Sequence, residues 1–284
     1  MAVLHQLAKR LEHMTALDAA AEPLSRAVRG FLARRQPLRD LLSGTNLGHP
    51  LHPVLTDVPI GAWSMSALLD LAGGRRSRRA ADLLVVTGVL SALPTAAAGW
   101  NDWSDTKGGA RRVGVAHAAA NSAALVLYTA SLAARCAGRR GRGRVLGLAG
   151  LGALMAGGYL GGHLTFVDVV NANRTAFEQR PGEWTPVLAE SELGEGAQRA
   201  VRAGDAVVLL HRSGGAIHAL ANTCSHLGGP LDQGKISGGC VTCPWHGSTF
   251  SLADGTVVHG PASSPQPVYE TRVRDGHIEV RARD

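Results

Sequence analysis

Cys224-Ser225-His226 and, after sixteen intervening residues, Cys243-Pro244-Trp245-His246 decide how the C-terminal part of this chain is read. The pattern is C-x-H followed by C-x-x-H, so each short segment offers one thiolate and one imidazole. Two thiolates on one iron and two neutral imidazoles on the other form the ligand set of a mixed-ligand [2Fe–2S] cluster, an electron-transfer centre whose histidines raise the reduction potential. A closed tetrahedral zinc site also draws on Cys and His. Zinc ligands, however, come mostly as C-x-x-C and H-x-x-x-H knuckles, not with the two residue types mixed in each loop. The neighbouring residues favour iron. Gly228, Gly229 and Gly247 let the backbone turn sharply and approach a cluster closely. The Ser248 hydroxyl and the loop N–H groups are placed to donate to sulfur, which tunes potential. Downstream, Gly260-Pro261-Ala262 and Pro265 make a stiff stretch suited to close over the centre.

From about Trp184 to Arg281 these residues resemble the Rieske ferredoxin family. The quoted points are Gly214-Gly215 in a turn, the approach His218-Ala-Leu-Ala-Asn-Thr-Cys-Ser-His226, the two loops themselves and the Asp275-Gly276 turn. The resemblance implies an all-β domain of small antiparallel sheets, with a cluster held at the tip of two loops by Cys224, His226, Cys243 and His246. It also implies a surround that includes Gly228, Trp245, Ser248 and Pro261. Alternating runs at Ala206–Leu210, Val268–Val273 and His277–Val280 read independently as strands between turns. Rieske proteins of quinol-oxidising cytochrome bc complexes look like C-T-H-L-G-C and C-P-C-H-G-S, with the two extra Cys bridged. Gly229 and Trp245 stand at those positions here, and Phe250 stands where those proteins carry a Tyr that bonds a ligand sulfur. The resemblance is therefore to the ferredoxin branch, with a lower expected potential. Rieske oxygenases add a large domain with a 2-His-1-carboxylate iron site. No such domain follows the match, so oxygenase chemistry is not expected of this chain.

The N-terminal part reads differently. Apolar runs at about 54–72, 80–100, 115–135 and 145–167 each approach the ~20 residues needed to cross a hydrocarbon core. Gly73–Arg79, Asn101–Arg112 and Gly138–Arg144 separate them with polar or Arg-rich loops. Small residues recur inside the runs, including the pairs Gly157/Gly161 and Gly158/Gly162, as in closely packed membrane helices. A soluble Ala-rich bundle would carry charged faces that these runs mostly lack. The expected fold is multi-domain: an N-terminal all-α four-helix transmembrane bundle at 45–168 and a C-terminal all-β domain at 184–284, joined by a polar linker at 169–183. Residues 1–44 read as amphipathic helices on the membrane face, with Leu4, Leu7, Leu11 and Met14 at helical spacing. No sustained apolar core of a secretory signal is visible in residues 1–30. The formal net charge of +7 is accounted for by Arg clusters beside the apolar runs, so no nucleic-acid partner is expected.

Residues 45–168 are also similar to an uncharacterised bacterial family of four-helix membrane proteins. The similarity rests on Thr45–Pro53, Asp57–Trp63, Gly99-Trp-Asn-Asp-Trp103, His117 with Asn121, and Gly157-Gly-Tyr-Leu-Gly-Gly-His163. An up-down-up-down path places His49, His52, His117 and His163 near one face. Imidazoles at membrane depth are costly and usually functional. These histidines are read as structural caps, as an axial pair for haem b, or as a quinone or other metal site with Asp57 or Asp102. Flanking basic residues are nearly balanced between the two sides. The dense short loops around Arg75–Arg79 and Arg139–Arg144 argue for a cluster outside. The long basic N-terminus and the missing cysteine pair argue for a reducing compartment. The balance favours a multi-pass protein of the bacterial cytoplasmic membrane, with its cluster facing the cytoplasm. The expected activity is membrane-anchored transport of single electrons to or from an unidentified redox partner. The alternative is a membrane oxidoreductase whose helical domain binds haem or quinone.

Overall fold

The computed structural model describes residues 2–283, which divide into two compact units. One unit takes the chain up to Arg35 together with Pro50–Val170; the other takes Gln36–His49 and the chain from Asn171 onward. The helices are α1 (Ala2–His13), α2 (Asp18–Ala33), α3 (Gln36–Ser43), α4 (Leu51–Ala72), α5 (Arg78–Ser104), α6 (Gly108–Cys136) and α7 (Arg140–Phe166). All but α3 belong to the first unit.

In that unit α4 packs on α5 and α7, and α6 packs on α5 and α7, while α1 lies on α6 and α2 on α5. Short Gly-rich turns reverse the chain. Gly138 takes the left-handed conformation after α6, and the N–H of Arg139 returns to the Ala134 carbonyl at 2.9 Å, closing the orphan carbonyls of the last turn. Among the described residues three helices, α5, α6 and α7, are long and apolar enough to cross a membrane. The sequence suggested four such spans; α4 falls short because Pro53, Asp57 and Asp70 dilute its 22 residues. Leu83, Leu90, Val126, Val145 and Met155 of the three spans are more than half exposed, an arrangement that suits lipid rather than water. Inside, Trp63 stacks on Tyr128 with ring centroids 4.2 Å apart, among Val85, Ala124 and Leu154.

A buried ion cluster ties one end of these helices together. Arg135 of α6 pairs with Asp70 of α4 and, at 2.9 Å, with Asp82 of α5; Arg140 of α7 also reaches Asp82 at 2.9 Å. The Arg135 and Asp70 side chains are only 2% and 5% exposed. At that depth neither charge is tolerable alone.

The second unit is built on ten strands: β1 (Thr185–Ala189), β2 (Gln198–Ala203), β3 (Ala206–Ser213), β4 (Ala216–Ala221), β5 (Lys235–Ser237), β6 (Cys240–Thr242), β7 (Thr249–Ser251), β8 (Val257–His259), β9 (Val268–Arg274) and β10 (His277–Ala282). They form a six-stranded antiparallel sheet in the order β1-β10-β9-β4-β3-β2 and a four-stranded one in the order β5-β6-β7-β8. The Gly214-Gly215 and Asp275-Gly276 turns both carry two positive-φ residues, the backbone that matches the twist of a tight hairpin. The alternation of β3 splits between two cores. Val208 and Leu210 join Val201, Ile278 and Val280, whereas Leu209 joins Leu220, Val241, Cys243 and Phe250. The second core is therefore continuous with the candidate ligand loops.

Two segments that the sequence placed outside the β domain lie in this unit. Helix α3 and the residues after it bond the 259–262 loop, as described below. In the expected linker, the Arg174 N–H donates to the Ser225 carbonyl at 3.0 Å, and Pro181 accepts from the Ala282 N–H at 2.8 Å. Polar composition marked 169–183 as a linker because its bonds are made by the backbone, which side-chain patterning does not announce.

The ion cluster generates the first expectation. Arg135→Ala leaves Asp70 buried with only Arg144, 3.5 Å away, near it. The change should destabilise the detergent-solubilised protein by about 3 kcal/mol, seen as a lower thermal midpoint. Replacing the exposed Arg142 by Ala should leave the midpoint unmoved.

Candidate metal centre

The four candidate ligands come from two equivalent positions, the loop between β4 and β5 and the loop between β6 and β7. Each loop is closed by its own backbone. The Cys224 N–H donates to the Gly229 carbonyl and the Gly228 N–H to the Cys224 carbonyl, at 2.8 and 2.9 Å. In the second loop the Cys243 N–H donates to the Ser248 carbonyl and the Gly247 N–H to the Cys243 carbonyl, at 2.8 and 3.1 Å. These bonds turn the remaining amides inward: those of His226 and Leu227 face the Cys224 sulfur, and those of Trp245 and His246 face the Cys243 sulfur. Amides aimed at sulfur favour the thiolate form.

The loops meet closely. A Cβ on Gly229 would stand 2.7 Å from the Cys243 sulfur and 3.1 Å from Trp245 Cγ, so only glycine fits there. Cys224 and Cys243 are both buried and both free of disulfides. The Cys224 thiol, donating to Cys243, draws the Cys243 thiol down to about 7, and the same contact pushes Cys224 up. The His226 and His246 rings face each other edge to face, with centroids 5.3 Å apart. Burial first, then the charges of His246, Arg39 and Arg174, lower His226 to about 3, so its imidazole is neutral. Its Nδ1 is buried and makes no hydrogen bond. Two buried thiols with inward amides and a neutral imidazole with an unengaged ring nitrogen fit a cluster held by Cys and His ligands.

Four further residues, Gly228, Trp245, Ser248 and Pro261, make up the expected surround. Ser248 is fully buried, and its Oγ accepts the Ala262 N–H at 2.9 Å, which leaves the hydroxyl proton to donate elsewhere. Pro261 lies buried beside that amide. Gly228 sits at φ 79°, the left-handed turn its loop requires. Trp245 is half exposed next to the half-buried His246.

Gln266 has a role the sequence did not suggest. It is 2% exposed; its Oε1 accepts the Ser225 N–H at 3.1 Å, and its Nε2 donates to the Ala221 and Thr223 carbonyls at 2.7 and 2.5 Å. One amide side chain thus staples the first ligand loop on both sides of Cys224. The available signal was its place between Pro265 and Pro267, which carry no N–H of their own.

The four membrane histidines do not form one constellation. His52 and His117 are paired, with ring centroids 6.3 Å apart. Their Nδ1 atoms lie 2.9 Å from the Thr95 carbonyl and 2.8 Å from the Gly157 carbonyl. His163 instead bonds Glu12 at 2.7 Å, next to Asp168 and the His5 ring. Lys9, 2.8 Å from Glu12, already supplies that group with a cation. His49 belongs to the β-rich unit. Gly157 and Gly161, one of the small-residue pairs of α7, are packed against the protein's own side chains. A Cβ at Gly161 would meet His117 at 3.0 Å, and one at Gly157 would meet Asn121 at 2.7 Å. These contacts fill the space beside Gly157 and Gly161 with His117 and Asn121.

These features define the second unit as a Rieske-type cluster fold. Comparison with known proteins agrees. Residues 183–270 match the Rieske [2Fe-2S] domain, and residues 48–174 match a family described as "Predicted membrane protein (DUF2231)". The chain is 33% identical over 98 residues to the ferredoxin CarAc of Metapseudomonas resinovorans, covering 34% of this chain and 92% of that protein. It is 34% identical over 91 residues to apoptosis-inducing factor 3 of Mus musculus, but spans only 15% of that protein's length. Among solved structures, the ferredoxin of carbazole 1,9a-dioxygenase from Nocardioides aromaticivorans IC177 is similar over 35% of this chain and 98% of its own, at 25% identity and a TM-score of 0.34. The chain belongs to the Rieske [2Fe–2S] family, and joins that domain to a helical region of the predicted membrane family.

Gln266→Leu keeps the volume and removes all three of its hydrogen bonds, leaving buried groups unsatisfied. We expect a loss of about 3 kcal/mol in stability and faster amide exchange over residues 222–228, read by mass spectrometry. Unchanged exchange there would show that the first loop holds without Gln266.

Proposed function

We propose that this chain is a membrane-anchored carrier of single electrons, with Cys224 and Cys243 holding one iron and His226 and His246 the other. The observation that carries this reading is the convergence of two buried thiols, four inward amides and a neutral, unengaged His226 Nδ1 on one point. When bound, the [2Fe–2S] cluster supplies one-electron oxidation and reduction at a potential set by its ligands and their hydrogen bonds. The protein's own part is to hold and insulate. Leu209, Leu220, Val241 and Phe250 exclude water behind the thiols. On the other side His246 and the exposed Trp245 present the edge at which a redox partner approaches.

The anchor is the region 45–168, read as four transmembrane helices with α4 as the fourth. Val54, Val58, Met65, Leu68 and Leu71 give α4 the same exposed apolar surface as the three clear spans, and its Asp70 is paired within the protein. Within residues 1–44, α1 and α2 supply amphipathic helices; 169–183 lead out of the helical unit into the β-rich one, and 184–284 hold all four ligands. Gly229 and Trp245 leave no second, bridged cysteine pair beside the ligands, which favours a reducing, cytoplasm-facing position in a bacterial membrane.

Detergent-solubilised protein should contain iron and acid-labile sulfide and show a Rieske EPR signal when reduced. His226→Ala or His246→Ala should abolish that signal, because each iron has two protein ligands; a signal surviving either change would overturn the assignment. Zinc without visible colour would point to a structural site instead.

Hydrogen bonds tune the same centre. Ser248→Ala should lower the potential and Phe250→Tyr should raise it, with the cluster assembled in both. A donor to sulfur stabilises the more negative reduced state. Each shift should be about 30–60 mV, which for one electron is roughly 0.7–1.4 kcal/mol, the scale of one hydrogen bond. A redox titration in which Phe250→Tyr leaves the potential unmoved would show that residue 250 does not face the cluster.

A further inference from the structure

Between α2 and α4 the chain leaves the helical unit, contributes Gln36–His49 to the β-rich unit and then returns. That insertion bonds the loop covering the candidate centre. The Asp40 carboxylate accepts the Gly260 N–H at 2.7 Å and the His259 ring Nδ1 at 3.2 Å. Gln36 Nε2 donates to the Gly260 carbonyl at 3.2 Å and to Asp40 Oδ1 at 2.8 Å, while Thr45 Oγ1 donates to the Ala262 carbonyl at 3.1 Å. The fit is tight, since a Cβ on Gly260 would stand 2.5 Å from Thr45 Oγ1 and 3.3 Å from Asp40 Oδ1. The clamped loop in turn presents the Ala262 N–H to the buried Ser248, two residues beyond the candidate ligand His246. The Asp40 side chain is 14% exposed, so little water screens it.

We propose that Gln36–His49 is a built-in clamp of the cluster centre and that Asp40 is its positioning residue. Asp40 fixes the 259–262 cover against Ser248 and, through its charge, lowers the reduction potential. This rests on the Rieske reading of the four ligands. A negative charge held against the cover loop disfavours the extra electron of the reduced state, so removing that charge raises the potential. Its two effects separate by substitution. Asp40→Asn keeps an oxygen to accept the Gly260 N–H but loses the charge. Asp40→Ala loses both.

The test uses the full-length protein in detergent. In Asp40→Ala, amide exchange over 259–262 should rise about tenfold, and the Rieske EPR signal should decay faster in the presence of a chelator. In Asp40→Asn, exchange should stay near the wild-type rate while redox titration gives a higher potential. Gln36→Ala should speed exchange without moving the potential. Exchange and potential both unchanged in Asp40→Ala would overturn the proposal. Should that variant fail to fold, a wild-type potential in loaded Asp40→Asn would overturn the electrostatic part. Wild-type protein lacking a Rieske signal would overturn the carrier reading instead, and the exchange comparison would still judge the clamp in the unloaded protein.

Discussion

The β-rich unit depends on one constraint. Two loops, each carrying a thiol and an imidazole, must approach within van der Waals distance while their amides point inward. An amide turned inward cannot take part in a sheet ladder, and a buried N–H without an acceptor is costly. The loops meet that cost by bonding their own carbonyls across each turn and by leaving the remaining N–H groups directed at sulfur. Gly229 sets the limit of approach, because any side chain there would occupy the space of the Cys243 sulfur. The rest follows from holding this pair of loops still. The large sheet contributes Leu209 and Leu220 from behind, the small sheet contributes Val241 and Phe250, and Gln266 ties the first loop to the end of β4.

The sequence was most legible where chemistry and spacing coincide. C-x-H and C-x-x-H name their residue types directly, and the paired-residue turns at 214–215 and 275–276 name the hairpins. It was least legible where a residue acts through the backbone. Nothing in the composition of Gln36–Ser43 separates it from the amphipathic helices before it, because its Asp40 and Gln36 bond a loop more than two hundred residues away. The 169–183 stretch reads as linker for the same reason. The reading of four apolar spans rests on length and small residues, and α4 differs from the other three in carrying Asp57 and Asp70. The histidines were grouped by topology alone, whereas their hydrogen bonds divide them: His52 and His117 cap carbonyls between helices, and His163 answers a carboxylate.

The helical unit solves a related problem by other means. Its outward surface is apolar, so no hydrophobic effect drives its helices together in lipid, and small residues, packing and polar contacts must do so. Gly157 and Gly161 receive Asn121 and His117, Trp63 stacks on Tyr128, and Arg135 gathers Asp70 and Asp82 from two other helices. The arginine cluster is specific because it is expensive: Arg135 satisfies its partners only if three helices end at the same level.

The electrostatics of the candidate centre are set by opposing charges drawn from separate parts of the chain. Arg39 and Arg174 act on His226 and favour its neutral, ligand-ready form, while Asp40, adjacent to Arg39 in sequence, holds the cover loop with a negative charge. Arg39 and Asp40 both lie on the inserted helix, and Arg174 lies on the stretch that leaves the helical region. Beside His246 of the second ligand loop, the charges that act on His226 thus come from the segments that join the β-rich unit to the helical one. A free-standing ferredoxin has no anchor from which to draw such segments. In this chain the segments that join the two units are therefore also part of the electrostatic environment of the candidate centre.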